Sequence, residues 1–400
     1  MDLYGGLPYW LLVGGMRTVV PPLDQDAECD VAVIGSGITG ALIAHRLSAA
    51  GQRVIVDDRR DLGQGSTMAS TSLLLYELDV PLYKLERILG TRRARRAYAI
   101  GVQAVKTIRS LAARLRVPVE TVPSIYIARR EARLEELRAE FAARRRVGLA
   151  VRWLGTAELG ERWGVRALGG IESRPAAQVD PFRLTHALLA SAVRQGARVY
   201  DRTGASSIGV DRGGVRISTD RGATVRSAHV IHAGGYEVAA RLPRGLVSLR
   251  STYAIASEPI GVISARRCVV WERAEPYIYI RWAGDRLLVG GEDRAFVDAS
   301  ARDRRIQTAA RALARKASDI LPGVAIEPAF AWSGTFATTP DGLGYIGTLP
   351  GRPREHFALG FGGNGMTFAA VAGGMIARRV LAGKHQGQDR SLFAFDRERC

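Results

Sequence analysis

Lysine is almost missing from this chain, and cysteine nearly so. Of the 57 basic residues only Lys84, Lys106, Lys316 and Lys384 are lysines, an arginine skew of the kind a G+C-rich genome produces. Part of the formal charge of +18 therefore reflects codon usage, although a positive field still favours anionic partners. Cys29, Cys268 and Cys400 are too few and too scattered for a disulfide framework or a metal site, which fits a reducing cytoplasm. Long apolar runs are lacking as well. Tyr9-Trp10-Leu11-Leu12-Val13 is apolar over five residues with no basic stretch before it, too short for a signal segment or a membrane span. The expectation is a soluble, cytoplasmic protein without a membrane span, with residues 1–25 as an irregular arm on the surface. Repeats, low-complexity tracts, carboxylate pairs and Ser/His/Asp sets are absent too. His45 and His186 fall in amphipathic helices and His232 in a strand, all read as structural.

What is there is concentrated in residues 30–58, DVAVIGSGITGALIAHRLSAAGQRVIVDD. Val31 to Ile34 form an apolar run of the kind that makes a buried parallel strand, and it ends on G-x-G-x-x-G, Gly35-Ser36-Gly37-Ile38-Thr39-Gly40. Gly35 allows the tight turn, Gly37 lets a pyrophosphate approach the backbone, and Gly40 lets the following helix pack on the strand. That helix carries Leu42, Ile43 and Leu47 toward a sheet and stops at Gly51. A second apolar strand then delivers Asp57 and Asp58. Asp58 lies 23 residues after Gly35, where an acidic side chain accepts hydrogen bonds from an adenosine ribose. A 2'-phosphate is disfavoured there by charge.

With 400 residues and 47% hydrophobic content the chain is long enough for two domains. Residues 59–71 form a glycine- and hydroxyl-rich loop able to offer donors to phosphates or a second ring system. Helical spacing runs over 82–115, 129–146 reads as a solvated charged helix, and Asp180-Pro181 opens another helix that stops at Gly196. Short strands follow over 199–204, 208–210 and 215–219, with a hairpin turn at Gly213-Gly214. His232-Ala233-Gly234-Gly235 ends a strand that returns to the nucleotide-binding sheet. In Tyr277-Ile278-Tyr279-Ile280-Arg281 the period of two sets Tyr277, Tyr279 and Arg281 on one face. Residues 301–320 form a helix, and 357–360 a last strand that leads through Gly363-Asn364-Gly365-Met366-Thr367 into a small-residue helix. A glycine turn at a helix start presents free N–H groups to an anion.

On these motifs the chain resembles the flavin-dependent amine and D-amino-acid oxidase superfamily, which includes glycine oxidase, sarcosine oxidase and the oxidases of gamma-glutamylated putrescine. The resemblance covers 29–397. It rests on VAVIGSGITGALIAHRLSAAG with GQGSTMAST, on VDPFRLTHALLASAVRQGARVYDRT with HVIHAGGYE, and on WSGTFATTPDGLGYIG with FALGFGGNGMTFAAVAGGMIA. It also resembles a bacterial subgroup that begins with an aromatic arm similar to Pro8-Tyr9-Trp10.

The resemblance implies an α/β (α+β) fold. A doubly wound Rossmann-like FAD-binding domain (27–82, 180–245 and 335–390) is interleaved with a substrate domain built on a large, mainly antiparallel sheet (83–179 and 246–334), after an arm over 1–26. It implies FAD, with adenosine on Gly35, Gly37, Asp58 and Arg59 and the pyrophosphate at Ile38 and Thr39. Gly65, Ser66, Thr67, Ala69, Ser70 and Thr71 lie along the pyrophosphate and one side of the ring. Ala205 touches the adenine side, Ala233 and Gly234 close the site, and Gly363, Asn364, Gly365, Met366 and Thr367 face the N1/O2 edge of the flavin. Three departures matter. Phe336 stands where amino-acid oxidases carry a carboxylate-binding arginine, Gly334 where sarcosine oxidases carry the flavin-linking cysteine, and Met68 and Ala69 where related dehydrogenases carry a linking histidine. FAD is therefore expected to be non-covalent.

The implied activity is oxidation of the C–N bond of an amine or amino acid by hydride transfer to flavin N5, with oxygen, a quinone or an electron-transfer partner as acceptor. Tyr253, Tyr277, Tyr279, Arg281, Trp332 and Phe336 are the pocket candidates. Arg281 is the substitute anion site if it points inward; if it points outward, the pocket is aromatic and neutral and favours amines without a carboxylate. The alternatives are an NADPH-dependent flavin monooxygenase or reductase, a tRNA-modifying flavoenzyme of the same superfamily, and an electron-transfer subunit; nucleic-acid binding is not the expected role.

Overall fold

The structure is a computed structural model and describes residues 2–14, 19–243, 245–261, 267–274, 276–382 and 390–397. Cys400 lies outside them. Two sheets organise the chain.

In the first, eight-stranded sheet the apolar run of the glycine motif is the strand Ala27–Ile34. It pairs in parallel with Val54–Asp57 on one side and with Thr224–His232 on the other. Glu355–Leu359 extends the sheet in parallel beyond Thr224–His232, and Arg198–Tyr200 beyond Val54–Asp57. The helices Ile38–Ala49, Thr91–Arg114, Pro181–Arg194 and Gly365–Ala382 cover one face, where Val31, Val33, Val54 and Val56 meet Leu42, Leu47, Leu188 and Ile376. Asp180 caps the third of these by accepting a 2.8 Å hydrogen bond from the Arg183 N–H. The opposite face is covered by the antiparallel hairpin Ala205–Val210 and Val215–Thr219, whose Val215 and Ile217 pack on Ala32 and Ile55. The carboxylate of Asp211 holds the hairpin turn by accepting from the N–H groups of Gly213 and Gly214.

The second sheet has ten strands and is antiparallel except where Val269–Glu272 lies parallel to Val119–Ala128. Its long strands Ser248–Ser257, Ile278–Ala283, Arg286–Ala295 and Pro328–Thr338 carry the helix Ile306–Ile320 on the outer face, against Tyr253, Ile255, Ile280 and Val289. The inner face looks toward the first sheet.

Residues 2–14 do not form the expected irregular surface arm, whereas 19–25 carry no regular element and only Leu23 among them is buried. Tyr4–Gly6 adds an antiparallel strand to Pro328–Thr338, and the short helix Tyr9–Gly14 buries Tyr9 and Trp10 against Met68, Phe182 and Trp332 on the inner face. The reason is apolar area. The two aromatic rings carry the largest apolar area of the run and leave water against the matching inner face, whereas Leu12 and Val13 stay exposed.

Candidate active site

A cavity of about 1110 Å³ opens where the strands of the parallel sheet end and extends along the inner face of the antiparallel sheet. Its first end is built by the glycine turn. The Gly35 N–H donates to the Asp57 carbonyl at 2.8 Å, and Gly35 has φ 108°, a conformation that favours glycine. A Cβ at Gly35 would lie 2.7 Å from the Ala233 carbonyl oxygen, and one at Gly40 would collide with the Gly35 carbonyl. Asp58 ties the turn from below: Oδ2 accepts from the N–H and the hydroxyl of Ser36, both at 2.7 Å, and Oδ1 from the Arg60 N–H at 3.0 Å. Arg59 and Arg60 both pair with Glu237, so two cations and an acid that sequence reasoning left unlinked border this end. Gly35, Gly37, Ile38, Thr39, Asp58, Arg59, Ala205, Ala233 and Gly234 all line it.

The middle of the cavity is walled by Gly65, Ser66, Thr67, Ala69, Ser70 and Thr71. Thr67 Oγ1 accepts from the Ile38 N–H at 2.9 Å, joining this loop to the first turn of the helix Ile38–Ala49. Behind it, three side chains from distant parts of the chain hold consecutive carbonyls. Trp332 Nε1 donates to Ala69 O at 2.8 Å, and Trp10 Nε1 to Ser70 O at 2.6 Å. A single Arg281 nitrogen donates to Thr71 O, Ser72 O and Val179 O at 2.8–3.0 Å. The guanidinium also lies 5.3 Å from the Trp10 ring centre.

These contacts correct three of the pocket expectations. Arg281 is buried and turned to backbone carbonyls, not to the cavity, because the N-terminal helix closes over it. Burial draws its pKa down to about 9, an effect the nearby Asp180 and Glu120 carboxylates oppose. Trp332 backs the loop instead of facing a substrate. Tyr253 lies on the outer face, where its hydroxyl donates to Arg302 O at 3.2 Å, since residues 250 and 252 have the inward parity on that strand. Thr367 is a fourth correction: it lies within the helix Gly365–Ala382 and donates to Leu75 O at 2.6 Å, off the cavity.

Tyr277, Tyr279, Gly334 and Phe336 do line the far end, together with Gly363, Asn364, Gly365 and Met366. Burial first of all holds both phenols well above their usual range, so they are neutral walls. The far end is nevertheless not the neutral pocket expected once Arg281 points away. Arg250, Thr252, Arg273, Asp79 and Asp293 line it. Arg250 stands directly across from Phe336 in the antiparallel register. Among the described residues neither Arg250 nor Arg273 has a carboxylate within ion-pair distance. Asp79 accepts from the Gly363 N–H at 2.8 Å, and burial raises its pKa against the pull of that N–H and of Arg273. Sequence reasoning passed over Arg250 because aromatics drew attention to Tyr253; the alternation along 248–257 could have pointed to it.

The sequence model of a family described as FAD dependent oxidoreductase, the DAO family, matches residues 30–379. The chain belongs to that family. It is 28% identical over 366 residues to a glycine oxidase of Geobacillus kaustophilus, across 88% of this chain and 92% of the relative. The crystal structure of glycine oxidase from that organism superimposes with a TM-score of 0.76 at 23% identity, covering 92% of this chain and 98% of the other. An L-amino acid deaminase from Proteus myxofaciens, solved with anthranilate, superimposes with a TM-score of 0.78 at 15% identity, covering 98% of each chain.

The cavity of this FAD-dependent oxidoreductase fits its cofactor on its own geometry. It exceeds an ordinary small-molecule pocket. Gly37 has only Thr67 Oγ1 near a would-be Cβ, at 3.0 Å, and a Cβ at Gly365 would meet nothing within 4 Å, so both helix starts leave room for an approaching group. No cysteine is among the lining residues. Among the described residues no helix is long and apolar enough to cross a membrane, and no cluster is placed to hold a metal ion.

Proposed function

We propose that the protein oxidises the C–N bond of an amine that carries an anionic group, in the simplest case an amino acid. The observation that supports this most directly is the pair of arginines, Arg250 and Arg273, with no carboxylate within ion-pair distance among the described residues, on the wall that Tyr277, Tyr279 and Phe336 complete. The similarity to a glycine oxidase points the same way. In this reading the anion-binding guanidinium has changed strands, from position 336 to its register partner 250.

The chain's own residues divide the work by region. Asp58 and the turn Gly35 to Gly37 hold the adenosine half of FAD, and the helix start at Ile38 and Thr39 turns its positive end to the pyrophosphate, with the Ile38 N–H held by Thr67. Ala69 to Thr71 and Gly363 to Met366 flank the ring. When bound, FAD supplies the acceptor for the hydride that leaves the carbon next to nitrogen. Arg250 and Arg273 orient the substrate by its anionic group, which fixes the direction of the reacting C–H bond. Phe336 and the two neutral phenols keep water from the reacting carbon.

Anaerobic bleaching of the flavin with amino acids and their decarboxylated amines tests this reading. At least one amino acid is expected to reduce the flavin with a lower half-saturation than its amine, and Arg250→Met should raise that half-saturation about tenfold to a hundredfold. Reduction only by amines lacking an anionic group would overturn it.

A further inference from the structure

Asp293 is brought to the cavity by an irregularity in its strand. In the pairing of Ser248–Ser257 with Arg286–Ala295, Ser251 stands opposite Arg294 and Tyr253 opposite Gly291, so Thr252 faces two residues, Glu292 and Asp293. This is a β-bulge, a device that re-aims a side chain beside a site. Glu292 adopts φ 57°, a left-handed conformation that a residue with a side chain rarely takes. Its carboxylate is drawn to the outer face, where it pairs with Lys316 of the helix Ile306–Ile320, and its N–H donates to Tyr277 O at 3.1 Å. In an unbroken strand Glu292 would share the inward parity of Leu288 and Gly290. The bulge hands that position to Asp293.

The carboxylate so placed is under-satisfied. Oδ1 is enclosed and has no hydrogen-bond partner, and the Thr252 hydroxyl, which donates to Gly291 O at 3.3 Å, lies beside the group. Thr252 in turn borders Gly334, where a Cβ would lie 3.5 Å from Thr252 Cγ2 and 3.9 Å from the Ala69 Cβ, so Asp293 adjoins the part of the wall assigned to the ring. The groups facing Asp293 are Arg250 and Thr252 from one neighbouring strand and Tyr277 and Tyr279 from the other. Asp79 faces it across the cavity, and Glu292 and Arg294 flank it on its own strand. A backbone held in an uncommon conformation to aim an unpaired acid into a cavity is a reason to look for the cation it meets.

We propose that Asp293 binds the ammonium group of the substrate with its carboxylate and accepts its proton, releasing a neutral amine. The N–H bond breaks with its electron pair remaining on nitrogen as the lone pair, an O–H bond forms, and no electron is transferred. The lone pair is what assists loss of hydride from the adjoining carbon. The inference rests on the C–N oxidation proposed above, and it assigns the two ends of a zwitterion: anion to Arg250 and Arg273, cation to Asp293. Burial, reinforced by Asp79 and Glu292 and opposed by Thr252 and Arg250, raises its pKa to about 6, so near neutral pH the group is ionised and ready to take a proton.

Two measurements on the FAD-loaded protein test it. Trimethylglycine carries a fixed positive nitrogen and a carboxylate, and 3,3-dimethylbutanoate is its neutral-headed isostere; neither has an N–H to lose. Followed by perturbation of the flavin absorbance at pH 8, trimethylglycine should bind Asp293→Asn about tenfold more weakly than wild type, while dimethylbutanoate binds the variant at least as well. Equal trimethylglycine affinity in both proteins, or none in wild type, overturns the ammonium subsite whether or not any amine is oxidised. With an amino acid that bleaches the flavin, the wild-type rate should show an acid limb near pH 6. Asp293→Asn should shift that limb up to the titration of the free amine, and Asp293→Glu should restore it. Thr252→Val, which keeps the carboxylate but removes the hydroxyl beside it, should move the limb upward and provides the test if Asp293→Asn does not hold FAD. An unmoved limb in these variants overturns the proton transfer alone.

Discussion

Two neighbouring acids end the strand Val54–Asp57 and its turn, and their surroundings give them opposite characters. Asp58 accepts three hydrogen bonds from the glycine turn and the following loop while facing the cavity. Asp58→Ala should weaken FAD binding by about 1.5–3 kcal/mol, the scale of hydrogen bonds to a charged group, on titration of the apoprotein; unchanged affinity would place the adenosine elsewhere. Asp57 points to the opposite face and is buried with no partner for either oxygen among the described residues. Burial, then the neighbouring Asp58 and Asp220, lifts its pKa to about 8. A raised folded-state pKa means that the folded protein holds the proton more tightly than the unfolded chain. The contribution is therefore fully present below about pH 4 and is lost as pH rises through about 8. At most about 6 kcal/mol is at stake. Asp57→Asn should gain stability over wild type progressively across that window in denaturant melts. A difference that does not vary with pH would show that Asp57 does not titrate there.

Among the elements, the N-terminal strand and helix carry a role their position at the chain end does not suggest. Tyr4–Gly6 extends the antiparallel sheet, and the helix Tyr9–Gly14 then sets Trp10 on the loop that walls the cavity. Ser72, at the end of that loop, has φ 55°, and its carbonyl is one of those Arg281 holds. The loop is thus kept in an uncommon conformation by Trp10, Trp332 and Arg281 together. Trp10→Phe keeps the ring but leaves the Ser70 carbonyl without this donor. It should cost about 1–3 kcal/mol of stability and speed FAD release, read from flavin fluorescence after dilution. Arg281→Met should act on stability in the same direction, and more strongly, rather than on substrate half-saturation. An Arg281→Met protein of wild-type stability with impaired substrate binding would restore the substrate role.

For the molecule as a whole, the cavity is an inter-sheet feature held from behind by a buried charge cluster. Arg144 donates to Glu140 at 2.7 Å and to Ser173 Oγ at 3.1 Å, with Glu77 at 3.5 Å. This joins the helix Glu131–Arg146 to the segment whose Glu77 carbonyl accepts from Asn364 Nδ2 at 2.7 Å. The charged helix read as a solvated surface element therefore has a buried side that supports the cavity end of the helix Gly365–Ala382. At this scale the mode of cofactor attachment is testable too. Gly334, Met68 and Ala69 offer no side chain for a covalent link, so acid precipitation should release all of the yellow colour to the supernatant. Colour retained in the pellet would contradict non-covalent binding.

The strand, glycine turn and helix that border the cavity were legible in the sequence because their geometry is local. A strand, a glycine turn, a helix and an acid must follow one another within about thirty residues, and backbone sterics leave glycine little alternative at Gly35 and Gly40. The period of two likewise sets Tyr277 and Tyr279 on one face, and both line the cavity. That same period was misleading for Arg281, since it fixes the side a residue starts on but not how far a long side chain reaches or what covers it. Only the tertiary structure decided that the N-terminal helix covers Arg281 and Trp332, because that contact joins residues 270 or more positions apart in the chain. It also decided that Arg250 faces Phe336, and that a bulge turns Asp293 inward. Strand pairing and register are set by long-range packing, which no single stretch of sequence contains.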